Sequence, residues 1–459
     1  MKYLLYNGKT VTGEGVKEEA VAIDGGRIEK TVPASEITPG FLESHGEYQA
    51  VDLGGKLVFA GGIDAHVHFR EPGMTHKADI SSESRAAVAG GVTSFIDMPN
   101  TVPATISAKA LAGKLGMAAG RSYANYGFHL GATDENLPEI MEILRTGKDG
   151  ISGKDFGGIK VFMGSSTGNM LVEDGAVLDS IFGIKEKEIL VHCEDEKTIR
   201  ANTAAAEKEY GNGIPFRMHS VIRSREACIL SSARALELAG KHGTRLHLLH
   251  ISTEEEIEMV RRARMSGCMV TAETSSNYLW FCDSGYGKLG SRMKCNPSVK
   301  TSGDRAALRK ALKDGLIDTI GSDHAPHLPG EKERGYLTAP SGMPSVQQTL
   351  QVLLTVAAED GIPLERIASV FSEKAAVLFG IRDRGFIRPG YAADLTIVDP
   401  DATVTIGRED ILYKCGWSPY EGVSLRGKVT DVFVNGKHVV KDSAFSGEGP
   451  AGEKLIFEK

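Results

Sequence analysis

Apolar residues are grouped into short runs that recur along the middle of the chain. Between residues 58 and 325 these runs are VFAGGIDAHVHF, VTSFIDMPN, SYANYGFHLGA, GIKVFMG, ILVHCED, RLHLLHIS, CMVTAETS and IDTIGSDHA. Continuous apolar runs of this length are typical of parallel strands that are buried on both faces. The pattern therefore predicts eight buried strands.

Stretches with helical periodicity lie between these runs. Examples are ISAKALAGKLGMAAG, NLPEIMEILRTG, ACILSSARALELAGKHG, TEEEIEMVRRARMSG and SGDRAALRKALKDG. Several end in glycine, as helix C-termini often do, and TEEE and SGDR start with a Ser or Thr cap and early acids. Eight strand–helix units predict an α/β fold, a (β/α)8 TIM barrel. Two more helical segments, SVQQTLQVLLTVAAEDG and PLERIASVFSEKAAVLFG, follow the eighth unit.

Both ends of the chain have a different, β-rich pattern. MKYLLYNGKTV and EAVAIDGGRIEKTV each pair two apolar runs around an NG or DGG turn, and TDVFVNGKHVVKD does the same near the C-terminus. Such turns predict β-hairpins. We expect one small β-sandwich domain built from both termini, residues 1–55 and 385–459, around a barrel domain of residues 56–384.

Composition excludes several classes of protein. The 459 residues are 41% hydrophobic and 25% charged, with a net charge of -7. Nucleic-acid binding needs concentrated Lys and Arg, so we expect no nucleic-acid partner. We see no signal peptide and no run of about 18 apolar residues, so we expect no membrane span. The six cysteines form no C-x-x-C pair, which indicates reduced thiols in a cytoplasmic protein.

Polar side chains stand at the C-terminal ends of the apolar runs. They are His66, His68 and Arg70 on the first run, Asp97 and Asn100 on the second, Lys160 on the fourth, His192 on the fifth, His250 on the sixth, and Asp323 with His324 and His327 on the eighth. Barrel active sites lie at the C-terminal ends of the strands. Six strands thus direct polar, metal-competent side chains to one mouth.

The histidines and Asp323 indicate a metal site. His66 and His68 are two residues apart on a strand and so point the same way. Imidazole and carboxylate groups suit zinc. An H-x-H pair by itself can be a surface or core accident, but His192, His250 and Asp323 at other strand ends favour the metal.

Lys160 is unusual inside an apolar run. Desolvation would lower its pKa, and a neutral amine can react with carbon dioxide to give a carbamate that bridges two ions. The alternative, which the chemistry alone favours, is a lysine that snorkels at the strand end or pairs with a carboxylate.

Arg70 continues the face of the histidine pair. Its guanidinium could grip a carboxylate in bidentate fashion, or it could pair with Glu71 or serve packing. Asn100 and Asn296 are uncharged donors near strand ends, although Asn296 before Pro297 also fits a turn. His129, His242 and His247 are more typical of core or surface positions.

Several motifs together resemble a known family. GGIDAHVHFREPG, DMPNT, GIKVFMGSSTG, VHCED, HLLHIST, KCNPS and GSDHAPH resemble the dihydroorotases of the longer type, within the amidohydrolase superfamily. H-x-H indicates only the superfamily, whereas FREPG and DHAPH are more specific. The resemblance extends over nearly the whole chain.

The resemblance implies a binuclear zinc site and its ligands. His66, His68 and Asp323 would hold one Zn²⁺, His192 and His250 the other, and carboxylated Lys160 would bridge them. Asp323 would also be the catalytic base. The residues that match substrate-binding positions are Arg70, Asn100, Asn296, His327 and, through its backbone, Gly342. A homodimer is a further expectation from relatives.

The resemblance also implies an activity, the reversible cyclisation of N-carbamoyl-L-aspartate to L-dihydroorotate plus water in de novo pyrimidine (UMP) biosynthesis. Two alternatives stay open. An allantoinase or hydantoinase would open rings without a carboxylate and usually lacks an arginine at position 70. A non-catalytic partner-binding scaffold typically loses metal ligands, and this chain retains all six. One departure is ETSSNYLW, which replaces a His-containing stretch of many relatives and puts any family role of Asn277 in doubt.

Overall fold

The computed structural model describes residues 1–164 and 170–458, and its strands and α-helices alternate through the middle of the chain. The strands are β1 (Lys2–Tyr6), β2 (Lys9–Thr12), β3 (Gly15–Asp24), β4 (Arg27–Pro33), β5 (Gln49–Asp52), β6 (Leu57–Ala60), β7 (Gly62–Val67), β8 (Val92–Asp97), β9 (Asn125–Phe128), β10 (Leu130–Gly131), β11 (Ile159–Phe162), β12 (Ile189–His192), β13 (Leu246–Leu248), β14 (Val270–Thr274), β15 (Thr319–Ile320), β16 (Leu395–Thr405), β17 (Ser424–Val434), β18 (Lys437–Lys441) and β19 (Ala444–Phe445).

The helices are α1 (Pro39–Ser44), α2 (Ile80–Ala89), α3 (Ala108–Ala118), α4 (Leu137–Arg145), α5 (Gly175–Phe182), α6 (Glu196–Tyr210), α7 (His219–Ile222), α8 (Arg225–His242), α9 (Glu254–Met265), α10 (Ser276–Trp280), α11 (Tyr286–Leu289), α12 (Ser302–Lys313), α13 (Pro329–Lys332), α14 (Thr349–Asp360), α15 (Leu364–Ala368) and α16 (Lys374–Phe379).

The predicted barrel is confirmed. Strands β7 to β15 pair in parallel and in chain order, with β9 and β10 forming one interrupted strand. A bridge between Val67 and His324 closes the ring. The strands are buried along almost their whole length because helices cover their outer faces. Every strand's C-terminal end therefore opens on the same mouth.

Local capping sets where the helices behind the strands begin. Thr253 accepts a hydrogen bond from the backbone of Glu256 at the start of α9, and Glu256 bonds back to Thr253. Thr301, one residue before the SGDR motif, caps α12 in the same way through Asp304. These capping boxes satisfy amide groups that the first helical turn leaves unpaired.

The two termini share one sheet, which confirms that both ends of the chain build one β-rich domain. Its strands follow the order β19-β18-β17-β16-β6-β2-β3-β1-β5, and β4 pairs with β3 off this path. The hairpins at Gly25–Gly26 and Asn435–Gly436 form between β3 and β4 and between β17 and β18. Strand β6 lies in this sheet although it follows residue 56, so the domain boundaries stay a prediction.

The hairpin predicted at Asn7–Gly8 is wrong. Strands β1 and β2 do not pair with each other, because both lie along the same edge of β3. The other edge of β3 is occupied by β4. The Asn-Gly pair, in which Asn7 adopts φ 56°, therefore connects two strands that follow one another along the same edge of β3.

The C-terminal segment closes the other end of the barrel. Leu455 and Phe457 are buried in one cluster with Ile63, near the start of β7, and with Ile96 of β8. In the described residues, none of the helices combines the length and the apolar character that a membrane span requires.

Candidate active site

The first two histidines leave one nitrogen each for the mouth of the barrel. Nδ1 of His66 donates to Oε1 of Glu273 at 2.6 Å, since a carboxylate can only accept. Nδ1 of His68 likewise donates to Oδ1 of Asn100 at 2.8 Å. The two Nε2 atoms then lie 3.4 Å and 3.0 Å from Oδ1 of Asp323.

These contacts fit a metal cation. Burial lowers the pKa of His66 well below its ordinary value, so its imidazole is neutral and its Nε2 carries a lone pair. A lone pair and a carboxylate that face each other favour a cation between them. The ligand atoms of His66, His68 and Asp323 all lie within 4.8 Å of one another, which makes this group a possible metal site.

Asp323 follows the short strand β15 and adopts φ 48°, a conformation that non-glycine residues seldom take. Burial acts to raise its pKa, but His66, His68 and Lys160 outweigh burial and hold the pKa below the ordinary value. The side chain is therefore a carboxylate that can accept a proton or bind a cation.

A second histidine pair lies beside the first. Nδ1 of His192 is 2.9 Å from Nε2 of His250, and both rings are buried. Behind His192, the Glu194 carboxylate lies 3.1 Å from Nε2 and is itself held by Arg223 at 2.7 Å. His192 through its Nδ1 and His250 through its Nε2 thus face the same position in the cavity.

Lys160 reaches the same cavity from β11. It is fully buried, and burial lowers its pKa to about 8. Its Nζ lies 4.7 Å from the centre of the Phe162 ring. Within residues 1–164 and 170–458 no carboxylate lies within ion-pair distance of it, so the paired-lysine alternative does not hold there.

Arg70 forms the other side of the cavity. It is 2% exposed, adopts φ 67° and donates from Nε to the Pro326 carbonyl at 3.1 Å. Glu71 pairs with Arg121 instead, at 2.8 Å. In the described part of the chain Arg70 has no carboxylate partner, and a buried guanidinium of this kind favours an anionic ligand.

His327 stands next to Arg70. Its Nε2 is 3.1 Å from Nη2 of Arg70 and 3.0 Å from the Ser341 carbonyl. Burial, then Arg70, Lys77 and Lys332, lower the pKa of His327 far below its ordinary value. The ring is therefore neutral.

Asn296 and Gly342 also line the cavity. Oδ1 of Asn296 is buried and has no hydrogen-bond partner among the described residues. The Gly342 amide already donates to the Lys294 carbonyl at 2.8 Å, and its carbonyl accepts from Lys332 at 3.0 Å. The Gly342 backbone could therefore contact a ligand only through the second lone pair of its carbonyl oxygen. A Cβ at Gly342 would lie 2.4 Å from the Ala325 carbonyl oxygen, which excludes a side chain.

One cavity brings the predicted residues together. Its walls include His66, His68, Arg70, Asn100, Lys160, His192, His250, Asn296, Asp323 and Gly342, and His327 contacts it through Arg70. The predicted motif GIKVFMGSSTG continues into residues 165–168, which lie outside the described residues.

The segment ETSSNYLW supports the site through Glu273, a residue that the sequence analysis did not assign. Asn277 of the same segment is buried and bonds to Ser322, Ser345 and Tyr420, so it does not line the cavity. Glu273, by contrast, holds His66. Like the predicted residues, Glu273 is an ionisable side chain at the end of an apolar run, and this signal was available in the sequence.

His129 and His247 are buried and outside the cavity wall, and His242 lies at the surface beside Asp179. Within the described residues these positions agree with core and surface roles.

Comparison with known proteins gives a consistent group of relatives. The model of the amidohydrolase family matches residues 57–439. A dihydroorotase of Methanosarcina acetivorans is 33% identical over 429 residues, 91% of this chain and 87% of the relative. An allantoinase of Desulfitobacterium hafniense is 32% identical over 459 residues, 98% of each chain. The structure of an L-hydantoinase (dihydropyrimidinase) from Arthrobacter aurescens superimposes with a TM-score of 0.88 at 27% identity, covering 99% of both chains.

Proposed function

Because the chain belongs to the amidohydrolase family and is a cyclic amidohydrolase, we propose that it interconverts L-dihydroorotate and N-carbamoyl-L-aspartate. The observation that carries this choice is Arg70, a buried guanidinium at the cavity with no acidic partner in the described chain. Dihydroorotate bears a ring carboxylate that such a cation can bind in bidentate fashion. The hydantoin and allantoin rings bear none.

We propose that the cation site holds two Zn²⁺ ions. His66, His68 and Asp323 would hold one ion, His192 and His250 the other, and carboxylated Lys160 would bridge both. When bound, zinc supplies Lewis-acid polarisation of the ring carbonyl and makes water a nucleophile near neutral pH. The lowered pKa of Lys160, about 8, leaves part of the amine neutral and able to react with carbon dioxide.

The side chains on the Arg70 side would orient the ring. Arg70 and His327 bind the carboxylate, while Asn100 and Asn296 contact the ring from the remaining walls. Fixing the ring in this way places its amide carbonyl beside Asp323, and such orientation accounts for a large part of enzymatic rate. The Asn296 oxygen, which has no hydrogen-bond partner in residues 1–164 and 170–458, suits a ring N–H donor.

Asp323 would move the proton. In ring opening, the water oxygen bonds to the ring carbonyl carbon while Asp323 accepts the water proton. The carbon–nitrogen bond of that amide then breaks, and Asp323 returns the proton to the departing nitrogen. The nitrogen becomes the terminal amide of the carbamoyl group, and ring closure is the reverse.

The relatives support a second candidate. The allantoinase relative covers 98% of this chain, somewhat more than the dihydroorotase relative does, so an allantoin or hydantoin ring is the alternative substrate. A non-catalytic scaffold is the remaining candidate, and the complete ligand set argues against it.

One assay separates these candidates. Protein whose zinc content is measured by elemental analysis is incubated with L-dihydroorotate, hydantoin and allantoin in turn. We expect turnover of dihydroorotate. Turnover of only hydantoin or allantoin would overturn the proposed substrate, and zinc-loaded protein that turns over none of the three would favour the scaffold.

A further inference from the structure

Lys77 lies outside the predicted site, yet it contacts His327 from the far side. Its Nζ is 3.1 Å from Nδ1 of His327 and 2.8 Å from Oε1 of Glu331. Lys77 follows the FREPG motif, whereas His327 and Glu331 belong to the segment that follows β15. The lysine side chain is 11% exposed, so this arrangement is largely shielded from water.

The contact determines which nitrogen of His327 carries the proton. A lysine ammonium has three donors and no acceptor, and one of these donors faces Glu331. Nδ1 of His327 must therefore be the acceptor. In a neutral imidazole the proton then resides on Nε2, which donates to the Ser341 carbonyl at 3.0 Å as long as no anion is bound and is released to the anion when one binds. A flipped ring would place carbon atoms at both partners and lose both bonds.

With the proton on Nε2, His327 presents a donor beside the guanidinium of Arg70. Nη2 of Arg70 and Nε2 of His327 are 3.1 Å apart, and both are donors. Two donors this close are best satisfied by one anion that accepts from both. Without Lys77, His327 could place its proton on Nδ1 and present a lone pair to the anion instead.

We propose that Lys77 is a positioning residue that fixes His327 as the Nε2–H tautomer, so that His327 and Arg70 donate together to the substrate's carboxylate. This inference rests on the proposed function for the identity of the anion. The tautomer itself does not depend on it. Lys77 thus selects ring substrates that carry a carboxylate, although it does not touch the substrate.

The first test is the tautomer. In ¹⁵N-histidine-labelled, zinc-loaded protein, His327→Gln identifies the His327 ring signals. We expect an unprotonated Nδ1 and a protonated Nε2 in the wild type, and a shift toward protonated Nδ1 in Lys77→Met. Lys77→Arg keeps a donor and should retain the wild-type pattern. A protonated Nδ1 in the wild type, or an unchanged pattern in Lys77→Met, would overturn the proposal.

The second test is kinetic. Lys77→Met should raise the KM for L-dihydroorotate about tenfold, the effect of losing one good hydrogen bond, with kcat changed far less. Lys414→Met is the matched control, because Lys414 makes a similar ion pair with Asp79 at 2.7 Å but does not contact His327. A normal KM in folded Lys77→Met contradicts the proposal. If the wild type does not turn over dihydroorotate, the proposed function fails while the tautomer test still decides the role of Lys77.

Discussion

Nδ1 of His66 lies 2.6 Å from Oε1 of Glu273, and both side chains are 1% exposed. Glu273 is on β14 and His66 on β7, so the contact crosses the barrel near its mouth. A carboxylate behind a metal-binding imidazole fixes the tautomer and the ring orientation. In the proposed cation site Glu273 would therefore orient His66 rather than bind the ion.

Replacing Glu273 by Gln should weaken zinc binding about 10- to 100-fold, because the amide holds His66 less firmly. The measurement is zinc affinity by competition with a chelator, together with metal content per chain. Glu256→Gln is the matched control, since Glu256 is equally buried but caps α9. Equal zinc affinity in the Glu273 and Glu256 variants would show that the carboxylate has no such role.

Asp323→Asn should reduce kcat for dihydroorotate by about 10²–10⁴-fold, the usual contribution of a general base. The fold should be retained because the amide has the same shape. Asp318→Asn is the control: Asp318 precedes the same strand at its opposite end and pairs with Arg264. Steady-state rates and circular dichroism check the prediction, and a near-normal rate would rule out Asp323 as the base.

Arg70→Met should raise the KM for dihydroorotate about 10- to 100-fold, since a hydrogen-bonded charge pair contributes about 1.5–3 kcal/mol. Turnover of a ring without a carboxylate, where detectable, should change little. Arg121→Met removes a surface arginine that pairs with Glu71 and is the control. An unchanged KM would show that Arg70 is structural.

Lys160→Met should lower the zinc content per chain and reduce activity at least about 10²-fold, because the bridging ligand is lost. In the wild type, ¹³C-bicarbonate should introduce a carbamate carbon visible by NMR. Lys187→Met is a close control: Lys187 is also buried, its pKa is likewise lowered to about 8, and it donates to the Phe156 carbonyl away from the cavity. Wild-type zinc content and activity in Lys160→Met would contradict the bridge.

Lys332 predicts a pH dependence of stability. It is 1% exposed, donates to three backbone carbonyls, and burial lowers its pKa from 10.5 to about 7. Between these values the unfolded chain binds more protons than the folded one, so the free energy of unfolding rises with pH from this group. Its contribution is at most about 1.4 kcal/mol per pH unit.

Urea unfolding at pH 7 and pH 9 tests this dependence. Lys332→Met should lose the part of the pH-dependent gain that Lys332 supplies, whereas Lys109→Met, at an exposed position on α3, should keep it. The same gain in the wild type and in Lys332→Met would show that Lys332 does not titrate in this range.

The sequence by itself determined the order of the elements and which polar residues meet at one mouth of the barrel. Apolar runs of strand length alternate with capped helices, and the ends of parallel strands in a barrel must meet at one mouth. His66, His192, His250 and Asp323 could therefore be assigned to one site from their positions alone. Both termini were also correctly assigned to one sheet, because their alternating runs differ from the barrel pattern.

Only the tertiary structure decided which groups those residues contact. The contact of Glu273 with His66 joins residues 207 positions apart, and the contact of Lys77 with His327 joins residues 250 positions apart. The local sequence pattern carries no information on such pairs. The same holds for Asn7–Gly8, where a hairpin signal gave two strands along one edge of β3. Pairing depends on which partner edge is vacant in the folded molecule, a property of the whole chain rather than of any one stretch.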